Sequence, residues 1–189
     1  MPNLLDDGPI RIAFVGRAKV GRTFCAEYLR TEYGFTRKRL ADPIDKFVKT
    51  LYFYKAKERM PWETKMKFYD AIYKIDNDLL INYLGGRMDI GIMDTAVDDV
   101  RYMNEALRLK ELGFIIVRVT RPRGKETHIK KALGKDYAPG TLYLQEMYNK
   151  DFTRELGVDY SLHNETRSVT RQALDLIVDD ILTNRSKNP

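Results

Sequence analysis

Two glycines five positions apart, Gly16 and Gly21, follow an apolar run within residues 10–23, IRIAFVGRAKVGRT. The apolar run predicts a buried strand, and the glycines let the backbone after it turn its amides inward on an anion. A helix that begins near Arg22 adds the partial positive charge of its N-terminal amides. Thr23 supplies a hydroxyl for Mg2+, so this spacing indicates a loop that binds nucleotide phosphates.

Arg22 departs from the usual pattern, because such a loop ordinarily carries lysine at this position. A planar, forked guanidinium is not equivalent to a compact ammonium, and Lys19 is a second candidate cation. The alternative interpretation is that this segment is an ordinary turn between a strand and a helix, and that its glycines serve only to form the turn. The residues expected to bind the nucleotide are Gly16, Arg17, Ala18, Lys19, Val20, Gly21, Arg22 and Thr23.

Three further groups of charged residues follow other predicted strands. Ligands of parallel sheets bind beyond the carboxyl ends of the strands, so we expect these groups to meet at one edge. The groups are Asp42 in LADP (40–43), then Asp94, Asp98, Asp99 and Arg101 in DTAVDDVRYMNEA (94–106), and Arg121 at the start of RPRGKETHIKK (121–131). In the second of these groups, the carboxylates are candidate ligands for Mg2+ and the arginine is a candidate to bind a phosphate.

Each group also has a purely structural interpretation. Asp42 can cap a helix ahead of Pro43, the aspartates can be turn residues, and the basic run can be a solvated face. We favour the functional interpretation, because three independent coincidences would otherwise have to fall at one edge of one sheet.

The composition favours a cytoplasmic protein with polyanionic partners. The net charge is +6 and the pI about 9.3, which suits nucleotides or nucleic acid. We expect one domain over residues 1–189, with no secretion signal and no apolar stretch near the roughly 20 residues of a membrane span. The single Cys25 precludes an internal disulfide and suits a reducing compartment; we expect it to be a packing residue in a helix.

Strand and helix patterns alternate along the chain, which predicts an α/β fold with a parallel sheet covered on both faces. An apolar stripe of Val169, Ala173, Leu176, Ile177 and Ile181 marks the closing helix. No assignment is made for 121–150. The predicted strands are 10–15, 36–40, 89–97, 114–119 and 158–162. The predicted helices before the closing one are 22–33, 43–54, 62–84 and 104–112. We expect Gly34 to cap the first of them and a stripe that includes Tyr69, Leu79 and Tyr83 to face the core in the third.

The chain resembles the phage-type deoxynucleoside monophosphate kinases of the P-loop kinase superfamily. The matching segments are IRIAFVGRAKVGRT, LADP, VDDVRYMNEA followed by GFIIVRVTRP, and DYSLHNE before the last helix. Together they span about residues 10–182, and DDVRYMNEA with the strand after it is the most specific part.

The resemblance implies a P-loop kinase three-layer fold with about five parallel strands, a mobile lid inserted at about 121–150, and ATP- and Mg2+-dependent phosphorylation of a dNMP in nucleotide biosynthesis. If the protein is phage-encoded, it would act in the host cytoplasm. By position, the resemblance implies that Gly16, Gly21, Arg22 and Thr23 bind ATP phosphates and Mg2+, that Asp42 and Arg101 lie on the acceptor side, and that Arg121 opens the lid. We therefore expect the catalytic residues to be Arg22, Asp42, Arg101 and Arg121. Together with the analysis of the carboxylates above, we expect the metal residues to be Thr23, Asp98 and Asp99.

Other functions remain open at the level of sequence. A nucleic-acid-binding protein would explain the charge but neither the glycine loop nor the aspartates, so we rank it below the kinase. A kinase of another small acceptor would use the same residues, and a weakened nucleotide-binding regulatory protein would account for Arg22. We expect no membrane partner, and the sequence leaves base preference and a homodimer open.

Overall fold

The central sheet consists of five parallel strands in the residues that the structure, a computed structural model, describes, namely 8–17, 19–51, 62–86, 91–121 and 156–186. The strands are β1 (Arg11–Val15), β2 (Thr36–Lys38), β3 (Thr95–Val97), β4 (Ile115–Thr120) and β5 (Tyr160–His163). Their order is β2-β3-β1-β4-β5, with every pairing parallel. The central β1 therefore has neighbours on both sides, which suits its apolar sequence.

Helices cover both faces of this sheet. In the described ranges they are α1 (Arg22–Tyr33), α2 (Asp42–Leu51), α3 (Trp62–Ile75), α4 (Leu79–Gly85), α5 (Met103–Glu111) and α6 (Arg167–Ser186). Ala13 and Val15 belong to one apolar cluster with α2 to α5, while Ile12 and Phe14 belong to a second cluster with α1 and α6. The alternation follows from the two-residue period of a strand.

The predicted α/β class, the parallel sheet and the first helix are confirmed. Helix α1 has the predicted bounds, and Gly34 ends it in the left-handed conformation with φ 75°, as a glycine cap does. Cys25 is fully buried in α1. Burial raises the pKa of its thiol to about 12, so Cys25 is the packing residue that the sequence predicts.

The predicted single helix over 62–84 is wrong, because the chain breaks between α3 and α4. The carboxylate of Asp76 accepts a hydrogen bond of 2.9 Å from the Asp78 backbone N–H. Such local side-chain bonds compete with helical ones. The break changes which residues face the core, so Tyr69 is buried but Leu79 and Tyr83 are 46% and 41% exposed.

Two other sequence predictions are displaced. The strand predicted over 89–97 is only Thr95–Val97 where the structure describes it. In α6 the predicted stripe is partly wrong, since Val169 and Leu176 are exposed. The buried apolar face of α6 contains Leu174, Ile177, Val178 and Ile181.

The predicted lid lies outside the described residues apart from Arg121. Within the described part of the chain, no helix combines the length and apolar character that a membrane crossing requires.

Candidate active site

The turn after β1 depends on three residues with positive φ, namely Gly16 at 150°, Lys19 at 64° and Gly21 at 108°. A Cβ on Gly16 would lie 2.4 Å from the Val119 carbonyl oxygen of the neighbouring strand. Glycine is therefore required here both by conformation and by the closeness of β4. Arg17 and Lys19 are exposed, Val20 is buried, and Ala18 lies outside the described residues.

Asn164, which follows β5, fixes the turn from the side. Its Nδ2 donates to the Val20 carbonyl at 2.6 Å, and its Oδ1 accepts from the Thr170 hydroxyl at 2.9 Å. A Cβ on Gly21 would lie 2.0 Å from that Nδ2. Asn164 thus occupies the space that glycine leaves. No pattern in the sequence predicts a role for Asn164, although this residue lies within the DYSLHNE segment.

Helix α1 begins at the end of this turn, directly after Gly21. No side chain in the described residues caps it there, so its first N–H groups are directed to solvent or to an anion. Thr23 is exposed in this first turn. The Arg22 guanidinium leaves the turn and donates from Nη1 to the Val100 carbonyl at 2.5 Å, linking the loop to the segment after β3.

Arg121 follows β4 and contacts the same turn from its other side. Its Nη1 lies 3.4 Å from the Lys19 carbonyl oxygen. Its Nε is buried and has no hydrogen-bond partner among the described residues. Arg121 therefore brings a cation to the loop, as the sequence predicts for the strand end.

Asp98, the first residue after β3, is the carboxylate that best fits a metal ion. It is 3% exposed; its Oδ2 accepts from Arg37 at 2.7 Å, and its Oδ1 is buried without a partner in the described residues. A hard oxygen of this kind is what Mg2+ prefers. The described residues contain no cluster of three or more acidic, His or Cys side chains suited to a metal.

The other two aspartates of the segment are engaged with the backbone. Asp99 accepts from the N–H groups of Leu40 and Ala41 at 2.7 and 3.0 Å, and burial raises the pKa of its carboxyl above the ordinary range. Asp94 precedes β3 and accepts from Ile10 N–H at 2.6 Å. In a parallel sheet this is the amino edge, so Asp94 does not lie with the other candidates.

Asp42 begins α2, beyond the end of β2. Its Oδ2 accepts from the Arg39 N–H at 3.2 Å, and the Arg39 guanidinium lies 3.9 Å from its other oxygen and 2.9 Å from Asp45. Asp42 therefore has a structural role at the helix start while remaining partly exposed at the same sheet edge.

Arg101 is a buried cation held by residues that sequence analysis missed. It is 7% exposed, and its guanidinium carbon lies 3.9 Å from the centre of the Tyr69 ring. Glu105 accepts from the Tyr69 hydroxyl at 2.5 Å and from the Arg101 and Tyr102 N–H groups at 2.6 and 3.0 Å. Periodicity could have indicated only that Tyr69 is buried.

Burial also changes the acidity of Glu105. Burial raises the pKa of the carboxyl from 4.5 to about 7. The hydrogen bonds from the Tyr69 hydroxyl and from the Arg101 and Tyr102 N–H groups lower the pKa, but their effect is smaller than that of burial. The nearby Asp99 charge raises it further. The three donors favour the ionised form, so the group is poised between its two states near neutral pH.

The carboxyl edge thus carries positive charge at two places. One is the turn after β1 with the N-terminus of α1, and the other is the arginine after β3. Arg22 connects them through its bond to Val100. Positive charge of this kind attracts negatively charged groups.

Comparisons with known proteins support the fold. No protein-family model matches the sequence, and a search of curated proteins found no significant match. Among solved structures, the chain is similar to shikimate kinase from Acinetobacter baumannii in complex with shikimate, with a TM-score of 0.60 and 17% identity over 93% of this chain and 94% of that chain. TT1252 from Thermus thermophilus aligns with a TM-score of 0.47 and 16% identity, covering 91% and 97%. The first similarity shows that this chain shares the α/β fold of that shikimate kinase.

The raised pKa of Glu105 predicts a pH-dependent stability. Between pH 4.5 and 7 the folded protein retains a proton on Glu105 that the unfolded chain releases, so the free energy of unfolding should fall as the pH rises through this window. The full effect is on the order of 3 kcal/mol. Glu105→Gln should flatten the profile. Urea unfolding of both proteins between pH 4.5 and 8 measures this, and parallel profiles would contradict it.

The crowding at Gly21 predicts unequal effects of two glycine substitutions. Gly21→Ala and Gly34→Ala both strain a positive φ, but only the first meets another side chain, because a Cβ on Gly34 has open space. We expect Gly34→Ala to cost about 1 kcal/mol of unfolding free energy and Gly21→Ala clearly more. Adding Asn164→Ala to Gly21→Ala should cost less than the sum of the two single changes. Equal losses for the two glycines would contradict the crowding.

Proposed function

We propose that this protein transfers the γ-phosphate of ATP to a deoxynucleoside monophosphate, giving the diphosphate. The observation that carries the proposal is positive charge at two places on one sheet edge, the turn after β1 and Arg101 after β3, connected by the bond of 2.5 Å from Arg22 to the Val100 carbonyl. A phosphate donor and a phosphate-bearing acceptor require such a pair. The P-loop kinase fold is consistent with it.

On the donor side, residues 16–23 would bind the ATP phosphates with backbone amides and the N-terminus of α1. Thr23 and the unpartnered Oδ1 of Asp98 are the groups suited to Mg2+. A metal ion held by these groups would neutralise part of the negative charge of the ATP phosphates. Arg121 would add a cation from the end of β4.

On the acceptor side, Arg101 would bind the monophosphate and Asp42 would contact the acceptor near the start of α2. Arg101 suits this role because its guanidinium is already desolvated and oriented, being 7% exposed, so little reorganisation accompanies binding. The second pKa of a phosphate ester is about 6, and the acceptor is therefore mostly a dianion at pH 7. Transfer then requires positioning and charge neutralisation rather than a dedicated base.

A kinase of another small acceptor is the second candidate. The observation that favours it is the similarity of fold to a shikimate kinase, whose structure contains shikimate, a small acceptor without a nucleoside. A nucleotide-binding regulatory protein with weakened activity is the reading that Arg22 favours.

A coupled assay of ADP formation tests these functions directly. The purified protein is given ATP and Mg2+ with each dNMP, each NMP and shikimate in turn. We expect turnover with at least one dNMP. Turnover only with a non-nucleotide acceptor would favour the second candidate, and ATP binding without transfer to any acceptor would favour the regulatory protein.

Removal of the buried guanidinium should affect the acceptor selectively. We expect Arg101→Ala to raise the acceptor KM about 100-fold, since hydrogen bonds to charged groups contribute about 1.5–3 kcal/mol, while the ATP KM changes little. Asp42→Asn should act in the same direction more weakly. The matched control is Arg108→Ala, which removes an exposed arginine of α5 paired with Glu111. Equal loss of ATP affinity in Arg101→Ala would remove Arg101 from the acceptor site.

The charge at Arg22 should matter more than its shape for the rate. We expect Arg22→Ala to lower kcat by at least about 100-fold, as loss of a preorganised group at developing charge does. Arg22→Lys should retain or raise activity, and Lys19→Ala should do less damage than Arg22→Ala. Arg30→Ala, in the last turn of the same helix and paired with Glu27, is the control. If Arg22→Ala is silent while Lys19→Ala abolishes transfer, Lys19 is the essential cation.

A further inference from the structure

A buried polar cluster lies between α3 and α5, directly behind Arg101. Glu105 and Tyr69 are both fully buried, and neither belongs to the phosphate loop or to the sites assigned above. We propose that Glu105 and Tyr69 are positioning residues that hold Arg101 in its orientation toward the acceptor phosphate. This inference rests on the proposed function, in which Arg101 binds that phosphate.

Glu105 fixes the backbone of Arg101. Its Oε2 accepts from the Arg101 N–H at 2.6 Å and from the Tyr102 N–H at 3.0 Å. Both bonds lie where the chain enters α5, which begins at Met103. Two bonds to one oxygen restrict the rotation of the peptide groups there, so they set the direction in which the Arg101 side chain leaves the backbone.

The same carboxylate fixes the side chain of Arg101 indirectly. Its Oε1 accepts from the Tyr69 hydroxyl, and the Tyr69 ring lies 3.9 Å from the Arg101 guanidinium carbon. An aromatic ring contacts the face of a guanidinium, whereas the N–H groups in its plane make hydrogen bonds. The ring can therefore orient Arg101 without using its donors.

A reciprocal contact fixes α3 itself. The Tyr102 hydroxyl donates to Asp70 at 2.9 Å, and the Tyr102 ring stacks on Tyr73 with ring centres 3.7 Å apart. The interface thus contains two bonds from a tyrosine hydroxyl to a carboxylate, one in each direction. The Tyr102 bond resembles the Tyr69 bond in chemistry, but the Tyr102 ring is not the ring placed over Arg101, and this makes it a suitable control.

Glu105 also stabilises the start of α5. It is the N3 residue of a capping box, and it accepts from the two N–H groups that precede the helix. A leucine would leave both buried N–H groups without an acceptor. The bond from the Tyr69 hydroxyl is not part of this capping, and it holds the tyrosine whose ring lies against Arg101.

The test compares Tyr69→Leu, Tyr69→Phe and Glu105→Gln, with Tyr102→Phe as the control. Loss of a cation–π contact predicts that Tyr69→Leu raises the acceptor KM about 10-fold and leaves the ATP KM unchanged. Tyr69→Phe keeps the ring, and Glu105→Gln keeps an acceptor oxygen for the two N–H groups, so both should raise the acceptor KM by less than about 3-fold, equivalent to about 0.7 kcal/mol. Tyr102→Phe should reduce stability without changing either KM.

A binding measurement that does not depend on turnover accompanies the kinetics. Inorganic phosphate is titrated calorimetrically into protein saturated with Mg2+ and a non-hydrolysable ATP analogue, so that the loop is already occupied. Phosphate affinity should fall in Arg101→Ala and Tyr69→Leu but not in Tyr102→Phe. A wild-type protein that binds no phosphate under these conditions would overturn the proposal.

The results separate this inference from the proposed function. If Arg101→Ala leaves both the acceptor KM and phosphate binding unchanged, the acceptor assignment fails and the positioning role fails with it. If Arg101→Ala weakens both but Tyr69→Leu, folded by circular dichroism, weakens neither, only the positioning role is overturned. A similar rise of both KM values in Tyr69→Leu and Tyr102→Phe would also overturn it, since that pattern indicates general destabilisation.

Discussion

Each of the five residues after β3, 98–102, forms a hydrogen bond or an ion pair with a neighbouring element. The candidate site depends on the restraint that these bonds impose on the segment. Asp98 pairs with Arg37 of β2, the next carboxylate holds the backbone before α2, and the Val100 carbonyl accepts from Arg22 of α1. The last two N–H groups of the segment donate to Glu105 of α5. A short strand end with so many anchors has little freedom, so the groups that it carries are preorganised.

Similar restraints continue along the carboxyl edge of the sheet. Hydrogen bonds connect the loops at the carboxyl edge. The backbone after β2 donates to Asp99 after β3, and Arg22 of α1 donates to the Val100 carbonyl in the same segment. The turn after β1 accepts from Arg121, which follows β4, and from Asn164, which follows β5. Each contact pairs a side chain with a backbone group of the neighbouring loop. Such bonds leave fewer unsatisfied polar groups where the strands end, and they fix the spacing of the cations across the edge.

The sequence predicts the parts of this arrangement that depend on local patterns. The apolar run, the glycine spacing and the helix from Arg22 to Gly34 follow from backbone preferences, and the location of the site follows from the parallel sheet. The roles of Glu105 and Asn164 could not be predicted, because both depend on partners far away in the chain, such as Tyr69 and Val20. The break at Asp76–Asp78 was missed for the opposite reason, since an apolar period continues across a turn that one carboxylate stabilises.

The same restraint gives a physical reason for an arginine at position 22. A guanidinium has five N–H donors in a rigid plane, and one of its nitrogens donates to the Val100 carbonyl. The same side chain also places its positive charge near the N-terminus of α1. A lysine would supply a compact and strongly hydrated charge on a shorter side chain, without the second arm of the guanidinium fork. The departure from the usual loop is therefore consistent with a side chain that joins the loop to the segment after β3 as well as carrying charge.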